Sequence, residues 1–303
     1  MPLVVLSRCA AASLLLLTSG LAVAEEGILT RCWTTQELRD GGGAPAAATS
    51  TTPAPPPLSP RSSTLRGVIR SVRTAGDEKV VALTFDLCES GGAPSGYDAP
   101  LVAYLRDNDV RATFFAGGKW LRSHPEPALQ LMADPRFEIG NHSWSHKDFR
   151  GLAAAQLKAQ IQGTQTEYAG LRAVLAGREC ATAAGARALD AIPAQPVLFR
   201  FPYGRCDPAS LAAVAEAGLP AIQWNVVTGD PAKGQGADAI ARVILDNVRP
   251  GAIVVAHANG RGWHTVEALR KVVPELRRRG YRFATVSELL ASGDPVTADT
   301  CHE

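Results

Sequence analysis

The hexapeptide Asn141-His142-Ser143-Trp144-Ser145-His146 places two imidazoles four residues apart. On a helical turn that spacing puts both rings on one face, with Cβ atoms about 5–6 Å apart. Two neutral imidazoles so placed suit a divalent metal, zinc first and cobalt as an alternative. A bare HxxxH is more often a pair of surface or capping histidines. Here the pair directly follows the strand-like Phe137-Glu138-Ile139-Gly140, and other polar residues stand at the ends of neighbouring apolar runs.

Asp86 closes one such run, Val80 to Phe85, where a carboxylate beside a metal can act as a general base. His257 closes Ala252 to Ala256 and reads as the general acid for a leaving group. Arg200, in Phe199-Arg200-Phe201-Pro202-Tyr203-Gly204, can pair with Asp86 and hold it ionised and oriented. The turn made by Pro202 and Gly204 could aim the Tyr203 backbone N–H at a developing oxyanion. Asp230 ends Trp224-Asn225-Val226-Val227-Thr228-Gly229-Asp230 and could orient His257; Trp224, at the head of that run, is taken as a substrate contact. The polar and Gly-rich His257 to His264 is either a further substrate contact or a plain turn into a helix.

The elements that must position these groups follow from hydrophobic patterning. Strands are expected at Val80–Phe85, Ala112–Ala116, Phe137–Ile139, Val197–Phe201, Ala221–Val226, Ala252–Ala256 and Arg282–Ala284. Helices are expected around Leu101–Leu105 and over Trp120–Met132, Leu152–Leu175, Pro208–Ala217, Ala237–Val248 and Val266–Arg279. Strands alternating with helices argue for an α/β fold with parallel strands under covering helices. In such folds catalytic groups stand at the C-terminal ends of strands, where Asp86, Asn141-His142, Arg200, Asp230 and His257 all fall.

Together these segments resemble the polysaccharide deacetylases of the NodB-homology type, carbohydrate esterase family 4, over about residues 78–290. Thr84-Phe85-Asp86 resembles the family's first motif and Asn141 to His146 its metal motif. Arg200 to Gly204 resembles the arginine–proline motif, Trp224 to Asp230 loosely the fourth, and Ile253 to His257 the final histidine motif. The resemblance implies a distorted (β/α) barrel of about seven parallel strands and hydrolysis of N- or O-acetyl groups on a carbohydrate polymer, such as peptidoglycan, a chitin-like chain or xylan. Asp86 would be the base, His257 the acid, and His142 and His146 the metal ligands. Two departures stand out. The family's second Asp, a third metal ligand, is Leu87 here, and Val227 and Pro231 replace an Asp and a Trp of the fourth motif. Asp86 itself, Asp98 or Glu89 could fill the missing ligand place. The departures also motivate the alternative of an inactive carbohydrate-binding protein on the same fold.

The ends of the chain differ in texture. Arg8, the apolar Ala10 to Val23 and the A-x-A of Ala22-Val23-Ala24 read as an export signal over residues 1–24, too short to span a membrane. Residues 25–66 read as an N-terminal segment, with a helical turn at Thr34 to Leu38, and a Pro/Ala/Thr-rich linker. The catalytic domain is residues 67–303. A secreted or periplasmic, monomeric enzyme is expected. The formal net charge of +2 offers no bulk basic footprint for nucleic acid. Of six cysteines, Cys9 falls in the signal, leaving Cys32, Cys88, Cys180, Cys206 and Cys301. Disulfides suit an exported chain. If the Asp86 and Arg200 loops rim one site, Cys88–Cys206 could brace them, with Cys32–Cys301 joining the ends and Cys180 free.

Overall fold

Val80–Leu87 (β2) alternates its side chains between two apolar layers, and that alternation organises the fold. Val80 and Ala82 pack inward with Phe115, Ile253 and Val255. Val81, Leu83, Phe85 and Leu87 pack outward with Phe114, Val254, Leu101 and Val272, under the helices. Because successive residues face opposite sides, the inward file continues past Ala82 through Thr84 to Asp86. The barrel therefore carries a polar side chain to its rim without disturbing the outer layer.

The computed structural model describes residues 27–43, 67–89 and 95–301. The expected export signal and most of the expected linker lie outside the described residues. The first elements are α1 (Ile28–Cys32), α2 (Thr35–Asp40), β1 (Val68–Thr74), β2, α3 (Ala99–Asp107) and β3 (Ala112–Ala116). Then come α4 (Gly118–Ser123), α5 (Pro125–Ala133), β4 (Phe137–Asn141), α6 (Ala154–Ala176), α7 (Glu179–Ala183), α8 (Ala186–Asp190) and α9 (Pro208–Glu216). The chain continues through β5 (Ala221–Ile222), β6 (Val226–Val227), α10 (Ala237–Asn247), β7 (Ala252–His257), α11 (Thr265–Arg278), β8 (Arg282–Phe283), α12 (Val286–Ala291) and β9 (Gly293–Ala298).

The sheet order is β4-β3-β2-β7-β1-β5, with β6 on β7, β8 on β2 and β9 on β1. Phe199 bridges Asn141 of β4 on one side and Ala221 of β5 on the other, so pairing continues around a distorted barrel. The pairs among β2, β3, β4, β6, β7 and β8 are parallel. An antiparallel component was not anticipated: β1 runs antiparallel to both β7 and β9. Val286 and Leu289 of α12 enter the inner cluster.

Three expected elements change form for local reasons. The helix expected over Trp120–Met132 breaks at His124 (φ −128°, ψ 57°), because the residue before Pro125 is driven out of helical geometry. The strand expected at Val197–Phe201 keeps only the Phe199 bridges. The strand expected at Ala221–Val226 divides because the chain changes partner. Ala221 and Ile222 pair with β1, whereas Val226 and Val227 pair with β7.

The cysteine pairing corrects the expectation. Cys32 bonds Cys180, tying α1 to α7, and Cys206 bonds Cys301, tying the segment before α9 to the C-terminal end. Cys88 is the free cysteine among the described residues and is buried. Cys206 follows the Arg200 loop but turns into the cluster of Phe201, Val214 and Cys301. Cys88, two residues beyond Asp86, stands by the catalytic end of the barrel instead.

Candidate active site

Asp86 and His257 are direct neighbours across the parallel β2/β7 pair, and Asp86 also faces Phe115 of β3. The Asp86 Oδ1 accepts from Arg200 Nη1 at 2.9 Å, and its Oδ2 stands 3.5 Å from His142 Nε2. Arg200 is fully buried, with its guanidinium over the Phe115 ring at 3.9 Å and near the Trp224 ring at 5.4 Å. Its Nε and Nη2 donate to the carbonyls of Ile222 and Gln223, both at 3.3 Å. A planar guanidinium packed against aromatic rings and bonded along its edges is fixed in orientation, and it fixes Asp86 in turn.

The histidine hexapeptide is a loop, not the expected helical turn. Ser143 (φ 66°) and His146 (φ 52°) both adopt left-handed backbone, which no helix permits. The loop is locked by two of its own side chains and by Gln160 of α6. Asn141 Oδ1 accepts from Ser143 N–H at 2.8 Å, Ser143 Oγ from His146 N–H at 3.1 Å, and Gln160 Oε1 from Ser145 N–H at 2.9 Å. The rings of His142 and His146 still converge, with centroids 5.0 Å apart. Gly118 makes room for Trp144, since a Cβ there would lie 2.2 Å from the indole.

His142 Nδ1 bonds the Arg200 carbonyl at 3.0 Å, which directs Nε2 toward the site. His142 Nε2 and His146 Nδ1 are buried with no hydrogen-bond partner in the protein. Orphaned polar atoms of this kind cost free energy unless something binds them, and imidazole nitrogens are metal donors. Burial lowers the pKa of both rings, His146 to about 3, so each is neutral and able to donate a lone pair at neutral pH. The residues present therefore fit a divalent metal. Within the described residues, Cys88, His142 and His146 form a group whose donor atoms all lie within 4.8 Å of one another.

Two of the other candidates for a third ligand, Asp98 and Glu89, make hydrogen bonds elsewhere. Asp98 Oδ1 caps α3, accepting from Leu101 N–H at 3.0 Å, and Glu89 Oε2 accepts from Ser123 Oγ at 2.5 Å. Leu87 faces the outer apolar layer and is fully buried. A carboxylate introduced there would be an unpaired buried charge among apolar side chains, so Leu87→Asp would not restore a ligand.

His257 and Asp230 form a second acid–imidazole pair. His257 Nδ1 meets Asp230 Oδ1 at 2.9 Å, and the His257 backbone N–H donates to Oδ2 at 2.8 Å. Thr228 and Thr265 hydroxyls donate to Asp230 Oδ1 and Oδ2 at 2.9 and 2.8 Å. Burial works against the His257 cation, but the Asp230 hydrogen bond and the Asp86 and Asp230 charges outweigh it, and its pKa is raised. Asp86 shifts the other way: burial disfavours its charge, and the neighbouring His142, Arg200 and His257, with the Arg200 hydrogen bond, more than offset this. The Cys88 thiol is pushed up to about 12 by burial and the Asp86 charge.

Tyr203 has left-handed backbone (φ 59°) and is 45% exposed, its ring edge-on to His146 at 4.4 Å. Trp224, taken from the sequence as a substrate contact, is buried beside Arg200. Thr228 and Thr265 were not singled out from the sequence; their signal is only that a buried Asp230 must be hydrogen-bonded. Cys88 had a clearer signal, since the i, i+2 spacing from Asp86 on extended chain puts both side chains on one side.

A family model for polysaccharide deacetylases matches residues 73–174. A peptidoglycan-N-acetylglucosamine deacetylase of Bacillus cereus is 30% identical over 217 residues, 71% of this chain and 89% of its own. A family 4 carbohydrate esterase from Streptomyces lividans, solved in complex with acetate, is 26% identical with a TM-score of 0.56, covering 74% of this chain and all of its own. A family 4 pseudoenzyme from Bacillus anthracis is 26% identical with a TM-score of 0.57, covering 77% of this chain and 70% of its own. On this sequence similarity, and with the barrel and its strand-end residues arranged as described, the chain belongs to the polysaccharide deacetylase family, carbohydrate esterase family 4.

Proposed function

We infer that the protein is a metal-dependent hydrolase that removes acetyl groups, N-linked ones foremost, from a carbohydrate polymer containing N-acetylglucosamine. The observation that carries this reading is the convergence of two acid–imidazole pairs on two partnerless histidine nitrogens at one end of the barrel. A divalent metal such as zinc, held by His142 and His146, would supply Lewis acidity toward the acetyl group.

The protein's own groups divide the proton work. Asp86, ionised and held by Arg200, accepts a proton from water as its oxygen attacks the acetyl carbon. The Tyr203 N–H, in the loop beside His146, is the donor suited to the oxygen on which charge develops. His257, held by Asp230, delivers a proton to the sugar nitrogen as the C–N bond breaks, so that acetate and a free amine result. Trp224 acts through Arg200 rather than on the sugar. The exposed rings of Tyr203 and Trp263 beside the two pairs offer flat apolar surfaces to a sugar's C–H face.

An exported location fits the two disulfides, which persist in oxidising compartments. No helix among the described residues is long and apolar enough to cross a membrane.

Acetate release from acetylated chito-oligomers, peptidoglycan and xylan tests this function. The expected result is release that chelator abolishes and zinc or cobalt restores. Binding of these polymers without acetate release under any metal would instead make the protein an inactive carbohydrate binder.

A further inference from the structure

We propose that Cys88 is the third protein ligand of the metal, replacing with a thiolate the carboxylate that position 87 does not provide. This rests on the metal reading given above and assigns its missing donor. The Cys88 Sγ lies with one ring nitrogen of His142 and one of His146 in a group no wider than 4.8 Å. His142 is fully buried with its Nε2 unpartnered, and His146 Nδ1 is likewise buried and unpartnered. Zinc bonds of 2.0–2.1 Å to nitrogen and 2.3 Å to sulfur place tetrahedral donors roughly 3.3–3.7 Å apart. A contraction of about 1 Å from the observed limit is enough to form that geometry.

The chain's path explains why cysteine occupies this place. In this chain Leu87 packs into the outer apolar layer, and the next residue on the Asp86 side is Cys88. The loop holds the sulfur in position: Asn259 Nδ2 donates to Cys88 Sγ at 3.1 Å and to its carbonyl at 2.8 Å. Asn259 is itself buried in the Gly-rich segment after His257. A hydrogen bond to a ligand sulfur is a usual device for orienting a metal thiolate. The remaining cysteines of the described chain are joined in disulfides, which leaves this sulfur available. On binding, the S–H bond breaks heterolytically, the sulfur lone pair forms the metal bond, and the proton passes to solvent. Two histidines and one thiolate leave a fourth position open, as catalytic zinc requires. Asp86 then stays with Arg200 as the base and is not needed as a ligand.

Cobalt titration of the full chain, stripped of metal, tests this without any substrate. A cobalt–thiolate bond gives an intense near-ultraviolet charge-transfer band that nitrogen and oxygen ligands lack. The wild-type protein is expected to take one cobalt and show the band. Cys88→Ser should lose the band and bind cobalt at least about 100-fold more weakly. Cys88→Asp should regain most of the affinity without the band, and Asp86→Asn should keep both. Circular dichroism of each metal-free variant confirms its fold. One bound cobalt with no band in the wild type, or a band surviving in Cys88→Ser, overturns the thiolate ligand while leaving a metal site intact. No cobalt uptake by the wild type overturns both this assignment and the metal-dependent function.

Discussion

The two halves of the active site use the same residue types to opposite ends. On one side Asp86 meets His142, and on the other Asp230 meets His257. The difference lies in what else touches each carboxylate. Asp86 is claimed by Arg200, so its charge is already compensated, and burial keeps the fully enclosed His142 neutral. Among the described residues Asp230 has no cationic partner but His257; its other contacts are two threonine hydroxyls and the His257 backbone N–H. Its charge is therefore available to lift the His257 pKa. One half is suited to accept protons and bind a metal, the other to donate a proton. Titratable pairs driven apart by their surroundings are how one site holds both an acid and a base.

The largest effect should come from removing the base. Asp86→Asn is expected to cost about 10²–10⁴ in turnover while retaining metal, measured as kcat beside metal content after dialysis. Near-normal turnover in a folded Asp86→Asn protein would assign proton abstraction elsewhere. His257→Ala should cost a similar factor through the other half, with KM little changed.

Asp230→Asn sharpens the contrast through pH. As the acid, His257 must be protonated, so activity falls as pH rises through its raised pKa. With the Asp230 carboxylate gone, only the Asp86 charge still opposes burial, so the pKa of the ring falls. The alkaline limb of kcat/KM should then move to lower pH, with about tenfold loss at neutral pH. An unmoved limb would mean that His257 does not set it. Thr265→Val, which removes one hydroxyl from Asp230, is the smallest test. It should cost on the order of 1 kcal/mol, a few-fold in kcat, without altering metal content.

Much of this site is legible in the sequence because it depends on local order. The apolar runs, the turns that end them and the polar residue just past each run are adjacent in the chain, and a parallel α/β sheet gathers such strand ends on one face. That logic marks Asp86, His142, Arg200, Asp230 and His257 before any coordinates. It also carries the helix expected over Ala237–Val248, which forms over Ala237–Asn247. Period-2 alternation was equally present in Val80–Leu87, and it separates Leu87 from Asp86 and Cys88.

What only the tertiary structure decided is what depends on contacts distant in sequence. The two disulfides span 148 and 95 residues. No spacing rule predicts such pairings, because they follow from which helix or loop each side chain packs against once the sheet has curled. The shape of the His142–His146 loop was also beyond the sequence, since left-handed Ser143 and His146 are held by Asn141 and Ser143 side chains, and Ser145 between them by Gln160 on a different element. The sequence by itself determined which chemical groups stand at the strand ends. The fold determined which of them meet and which charges compensate. It also brought a cysteine, by its spacing an equally good disulfide partner, to lie beside two histidines.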